Sequence, residues 1–171
     1  MLRFLLLCAL FFSAATQAQI FKRDPGDEIV LPDEEALRLP PAPRDENLVR
    51  FDPGFNTPLN YYIDGASLKA GKTDRIVRYT LVVRSSAGAN NISFEALRCD
   101  TGDRKIYAYG GSDGKWSPAR DPQWKPVETE RYRRTLFVFY FCPNNLPFES
   151  TQEGIDALRN GGHRRAPRDS Y

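Results

Sequence analysis

Three charged residues stand among apolar neighbours in the most strand-like part of the chain: Arg78, Glu95 and Arg98. A charge inside a half-buried strand needs a partner. One arrangement is a Glu95–Arg78 ion pair across neighbouring strands, and the other is contact with a ligand carboxylate or a sugar. Alternation along a strand sends Glu95 and Arg98 to opposite faces, which complicates any shared site. Trp116 and Trp124 bracket a loop, Ser117 to Gln123, that carries two prolines. Exposed on such a loop they would suit carbohydrate or protein recognition; buried, they would cap the end of a β core.

Other chemistries find little to work with. The single histidine, His163, lies close to the C-terminus, and a nucleophilic triad needs an oriented base. The sequence has no G-x-S-x-G, no H-E-x-x-H and no Cys/His cluster with zinc spacing. Asp100 and Asp103 share a short loop but supply too few oxygens for a calcium site. Gly71-Lys72-Thr73 imitates the end of a phosphate-binding loop, yet Ala66 stands where the first glycine is required and a strand pattern follows. No cofactor and no metal is expected.

These side chains must be positioned by strands. Arg75 to Arg84 alternates, with Val77, Tyr79, Leu81 and Val83 on one face and Ile76, Arg78, Thr80, Val82 and Arg84 on the other. Between Asn91 and Cys99, Ile92, Phe94 and Ala96 alternate with Ser93, Glu95 and Leu97. Shorter strands are expected over Leu59 to Ile63 and Lys105 to Tyr109, with a hairpin-like turn at Gly110 to Gly114 leading to Trp116. Thr135 to Cys142 (TLFVFYFC) is apolar on both faces and reads as a central strand buried twice over.

Helical signals are fewer. Asp33 to Leu39 can form a helical turn with Asp33 as N-cap, followed by a polyproline connector or strap at Leu39 to Pro43. Ser150 and Glu153 form a capping box ahead of Ile155 and Leu158, and Gly161-Gly162 ends that helix. The residues beyond, 161–171, read as a disordered basic tail. The expected fold is therefore mainly β: an antiparallel sandwich or curved sheet with one C-terminal helix, in one domain over residues 47–160. Residues 19–46 precede it as an irregular, proline-containing segment.

Met1 to Ala18 has the form of an export signal. Arg3 is its positive end, Phe4 to Phe12 is an unbroken apolar run, and Thr16 and Ala18 stand before a cleavage point at Gln19. That apolar run is too short for a helix to cross about 30 Å of hydrocarbon. Cleavage would discard Cys8 and leave Cys99 and Cys142, which an oxidising compartment joins into one bridge. Closing a loop of about 43 residues is worth roughly 4 kcal/mol in the chain-entropy treatment. Lys and Arg total 24 against 22 acidic residues, and loss of Arg3 with the leader brings the chain closer to neutrality. Charge therefore gives no argument for nucleic acid.

Taken in order, V-R-Y-T-L from Val77, G-A-x-N-x-S-x-E from Gly88, Arg98-Cys99, the turn running into Trp116, Trp124 and Cys142 resemble the cryptic neisserial protein-like family, small exported proteins of Gram-negative bacteria. The resemblance covers residues 47–148. It implies a periplasmic setting and brings no catalytic residue to carry over. The expected function is a non-catalytic binding or interaction module of the cell envelope, with an envelope protein or a glycan as partner. The alternative is a hydrolase acting on cell-wall or glycan material through carboxylates such as Glu95. A hydrolase would set a second acid within about 10 Å of Glu95 in an open cleft; a structural pair would bury Glu95 against an arginine.

Overall fold

The computed structural model describes residues 33–167. The leader, Cys8 and the polar stretch 19–32 lie outside the described residues, as do the last four. Seven antiparallel strands form one open sheet, not a sandwich: β1 (Leu48–Phe51), β2 (Asn60–Ala70), β3 (Ile76–Arg84), β4 (Asn90–Arg98), β5 (Asp103–Gly110), β6 (Trp116–Pro118) and β7 (Lys125–Pro126). They lie side by side in chain order up to β6, and β7 pairs with the other end of β5. From β2 to β6 each neighbour is reached by a turn of four or five residues, so those pairings are local.

Alternation along β3 and β4 divides the sheet's residues as the sequence suggested. Val77, Tyr79, Leu81 and Leu97 join the main core on one face, while Ile76, Phe94 and Ala96 join a smaller cluster on the other. The register sets Tyr79 opposite Glu95 and Arg78 opposite Ala96. Between β2 and β3 the ladder breaks, Asp64 pairing with Thr80 but Lys69 with Arg78. The surplus residues are held by their own polar groups. The Asp64 carboxylate accepts from the Ala66 N–H, and the Ser67 hydroxyl donates to the Asp64 carbonyl while accepting from the Thr80 N–H. The bulge thus leaves the Thr80 amide satisfied and turns Leu68 fully inward.

Residues 135–142 are not a strand. Helix α1 (Arg131–Thr135) runs directly into a wider π-helical turn over Leu136–Phe141, closed by the Cys142 N–H on the Phe137 carbonyl at 2.9 Å. Leu136, Phe137, Phe139, Tyr140 and Phe141 are all buried. A helix enclosed on every side shows no apolar stripe, and over so short a run it cannot be told from a doubly buried strand. This helical segment fills the main face of the sheet. Cys142, at its end, still reaches Cys99 just after β4, with Cα atoms 5.2 Å apart and the disulfide formed.

Helix α2 (Thr151–Arg159) begins at the expected cap: the Ser150 hydroxyl accepts from the Glu153 N–H. The returning carboxylate of Glu153 takes the Glu149 N–H, one residue before the cap position. Gly154 faces inward so closely that a Cβ there would lie 2.9 Å from Phe148 and 3.0 Å from Leu68. The chain after α2 is not a loose tail as far as Pro167. His163 is buried, its Nε2 2.9 Å from Glu153, its Nδ1 accepting from the Arg165 N–H and its own N–H on the Phe139 carbonyl. Among the described residues no helix is long and apolar enough to cross a membrane.

Candidate functional site

The five candidates divide between the two faces of the sheet. Glu95 alone points to the main core. It is fully buried, and the Arg133 guanidinium grips both its oxygens, Nε to Oε2 at 2.8 Å and Nη2 to Oε1 at 2.7 Å. Ser93 donates to the same carboxylate, and Tyr79 donates more weakly at 3.4 Å. Arg133, itself only 6% exposed, also contacts Glu130, which in turn pairs with Arg104 on β5. Burial, then the neighbouring Glu95 charge, push the Tyr79 phenol well above its ordinary pKa, so it stays a neutral donor. Burial works against the Arg133 cation, but Glu95 more than offsets it and raises its pKa. This cluster bolts α1 to the sheet. Both acceptor atoms of Glu95 are occupied and none faces a cleft.

The expected Glu95–Arg78 pair does not form, because the register puts the two side chains on opposite faces. Arg78 instead binds Asp74 at 2.6 Å, four residues back across the β2–β3 turn. Its partner in the expectation was wrong by parity, a consequence of the bulge-free β3–β4 ladder.

Arg78, Arg98, Trp116 and Trp124 share the other face, and a segment of the chain's own N-terminal region lies over them. Residues 33–44 form no helix and pair with no strand, so the helical turn expected at Asp33 to Leu39 is absent. They run across the sheet as a strap. The reason lies in where its carboxylates go. Glu34 accepts from the Lys105 ammonium at 2.7 Å, the Tyr107 hydroxyl at 2.8 Å and the Trp124 indole N–H at 2.9 Å. Glu35 accepts from both the backbone N–H and the hydroxyl of Thr73 at 3.0 Å, while its own N–H donates to Asp74 at 2.8 Å. Further along, the Trp116 indole donates to the Pro40 carbonyl at 2.7 Å. Acids that a helix would have used at its N-terminus are taken by side chains and backbone of the sheet.

The electrostatics favour charged carboxylates here. Burial raises the pKa of Glu34, but the three donors outweigh it and hold it below the usual carboxylate value. The Thr73 hydrogen bonds lower Glu35 likewise. Burial works against Asp74, and Arg78 with the Glu35 and Ile76 amides overcomes it. Beneath this network Arg98 stacks on Trp124, its guanidinium carbon 4.3 Å from the ring, and Lys105 stands 5.3 Å from the same ring. Both tryptophans are half-buried against Ile76, Phe94, Ala96 and Tyr107. A cleft of about 410 Å³ remains between strap and sheet, lined by Leu37, Leu39, Pro40, Arg78 and Phe94 among others.

Sequence reasoning missed Arg133, Glu34, Lys105 and Tyr107. The only available signal for Arg133 was the charged run Glu128 to Arg134 ahead of an apolar stretch, which carries no indication of its partner. For Glu34 there was none.

Residues 32–159 match the CNP1-like family. The chain belongs to that family. It is also similar to cryptic neisserial protein 1 of Neisseria gonorrhoeae (strain ATCC 700825 / FA 1090), 24% identical over 153 residues, covering 78% of this chain and 74% of the relative. No solved structure matches the chain. The family match begins at the strap and ends with α2, so it takes in both side-chain clusters.

Proposed function

We propose that this CNP1-like protein is exported to the periplasm and serves there as a non-catalytic binding module of the cell envelope. The observation that carries the reading is the face of β4, β5, β6 and β7 with its two tryptophans. It grips a chain segment through converging donors, Lys105, Tyr107 and Trp124 on a carboxylate and Trp116 on a carbonyl. Converging donors on an aromatic floor are the composition of a recognition surface. The hydrolase reading gains no support from Glu95, whose oxygens are locked to Arg133 in the interior. Export is supported by the form of the leader and by a disulfide that suits an oxidising compartment.

Two measurements test the two halves. Expressed with its leader, the chain is expected in the osmotic-shock fraction with Gln19 as its first residue; an intact leader on a cytoplasmic protein would refute export. The purified mature chain is then offered to a peptide array and, by tryptophan fluorescence, to peptidoglycan fragments. Saturable binding to either supports the module, and a folded chain that binds nothing in both assays refutes it.

A further inference from the structure

We propose that the strap face is a peptide site with a defined preference. It takes a non-helical segment bearing two adjacent acidic residues and, about five residues further on, a proline. The chain's own residues 33–43 are then its built-in competitor. This rests on the reading of the chain as a binding module and adds the class of partner.

The strap is held in a way that differs from a permanent cover. Its anchoring contacts are polar: Glu34 and Glu35 are bound, whereas Leu37 and Leu39 line the cleft and are each 42% exposed. Neither leucine belongs to a buried core cluster. It contributes no strand to the ladder, and the main core, on the opposite face, does not include it. The fit is also incomplete, since the cleft of about 410 Å³ stays open under Leu37 and Pro40. What holds the strap is a short set of hydrogen bonds, and those to the Glu34 and Glu35 carboxylates read side-chain identity.

The same contacts define the partner. Lys105, Tyr107 and Trp124 present three donors and no competing acceptor to one point, so that point selects a carboxylate. Thr73 offers an N–H and a hydroxyl to a second carboxylate, and Asp74 takes the backbone N–H of the same residue. The two acids must therefore be adjacent, and the second cannot be replaced by proline, which lacks that N–H. Trp116 reads a carbonyl at the proline position. Without an occupant, the Lys105 ammonium and both indole N–H groups would lose the acceptors they have here.

A tethered occupant works at an effective concentration of order millimolar, so it masks the site and lowers apparent affinity for a free peptide by about tenfold or more. The test uses the full mature chain and a fluorescent synthetic peptide of residues 33–43, followed by anisotropy. Glu34→Gln with Glu35→Gln in the chain weakens the strap and leaves the sheet face intact. It is expected to tighten peptide binding about tenfold or more relative to the unmodified chain. Adding Lys105→Ala, or Trp124→Phe as a milder change, is expected to abolish the gain, as is a peptide whose two glutamates are glutamines. Equal binding by the unmodified and strap-weakened chains would overturn the proposal. So would no binding by a strap-weakened chain whose circular dichroism is native. An unmodified chain that is dimeric by light scattering and becomes monomeric with peptide would also overturn it, in favour of straps exchanged between copies. If the peptide fails while the array finds another ligand, this proposal falls and the binding-module reading stands.

Discussion

Replacing Glu95 by alanine tests whether its buried pair is structural. The substitution leaves Arg133 almost fully enclosed without its bidentate partner and strips Ser93 and Tyr79 of their acceptor. Breaking a buried pair from one side costs about 3–5 kcal/mol, because an uncompensated charge remains. Glu130 still touches Arg133 and is itself part-exposed, which relieves some of that charge; the expected loss is therefore near the lower end, about 3 kcal/mol. At roughly 4 °C per kcal/mol for a domain of this size, the melting temperature should fall by about 12 °C. The assay is thermal unfolding by circular dichroism with the Cys99–Cys142 bridge oxidised. Glu95→Gln, which keeps the shape and part of the hydrogen bonding, should fall between. Glu95→Leu with Arg133→Met removes both charges and should melt closer to the unmodified chain than Glu95→Ala does. A loss below about 1 kcal/mol for Glu95→Ala would refute the assignment. So would a double variant as damaged as the sum of its parts.

Two further outcomes follow from other parts of the fold. Cys142→Ser opens a bridge of sequence separation 43 and should cost about 4 kcal/mol in unfolding under oxidising conditions. An unchanged melting curve would show that the bridge does not restrain the unfolded chain. Acid should loosen the strap: Glu34, Glu35 and Asp74 all have carboxyls held below their ordinary values of 4.5, 4.5 and 3.8. A lowered carboxyl contributes stability above its unfolded pKa and loses it as pH falls through the folded value. The contacts should hold unchanged from neutral pH down to about 5 and fail progressively below about 4.5. Both tryptophans of the chain lie at the strap, so their emission reports its release. Glu34→Gln should shrink the acid transition, and emission that is flat to pH 3 would contradict the mechanism.

Alternation explains why the sheet was legible. A residue's parity in β3 or β4 fixes its face, and the hydrophobic residues of each strand named those faces correctly. Two thiols left after an expected leader named the disulfide, and Ser150 with Glu153 named α2, because capping is a local exchange between a side chain and a nearby amide. Thr135 to Cys142 failed for the opposite reason: TLFVFYFC buries every side, so no period survives to separate helix from strand. His163 was misjudged because tail residues have no periodic signature, and its anchor is a carboxylate on another element.

The clusters show how far parity can be pushed. With Arg78 opposite Ala96 and Tyr79 opposite Glu95, an uninterrupted ladder already forbids the Glu95–Arg78 pair. It sends Arg78 and Arg98 to the tryptophan face and leaves Glu95 to seek a cation from whatever covers the core. Parity therefore sorts each strand charge into the right cluster but cannot name its partner. Those partners come from segments that obey no strand period: Arg133 from a helix 38 positions away, Glu34 from an irregular strap 90 positions from Trp124. A strap anchored through its carboxylates, with leucines left part-exposed, lacks the apolar pattern by which buried segments are recognised. Its acids therefore read as first-turn residues of a helix capped by Asp33, and only the three donors that meet Glu34 reveal its role.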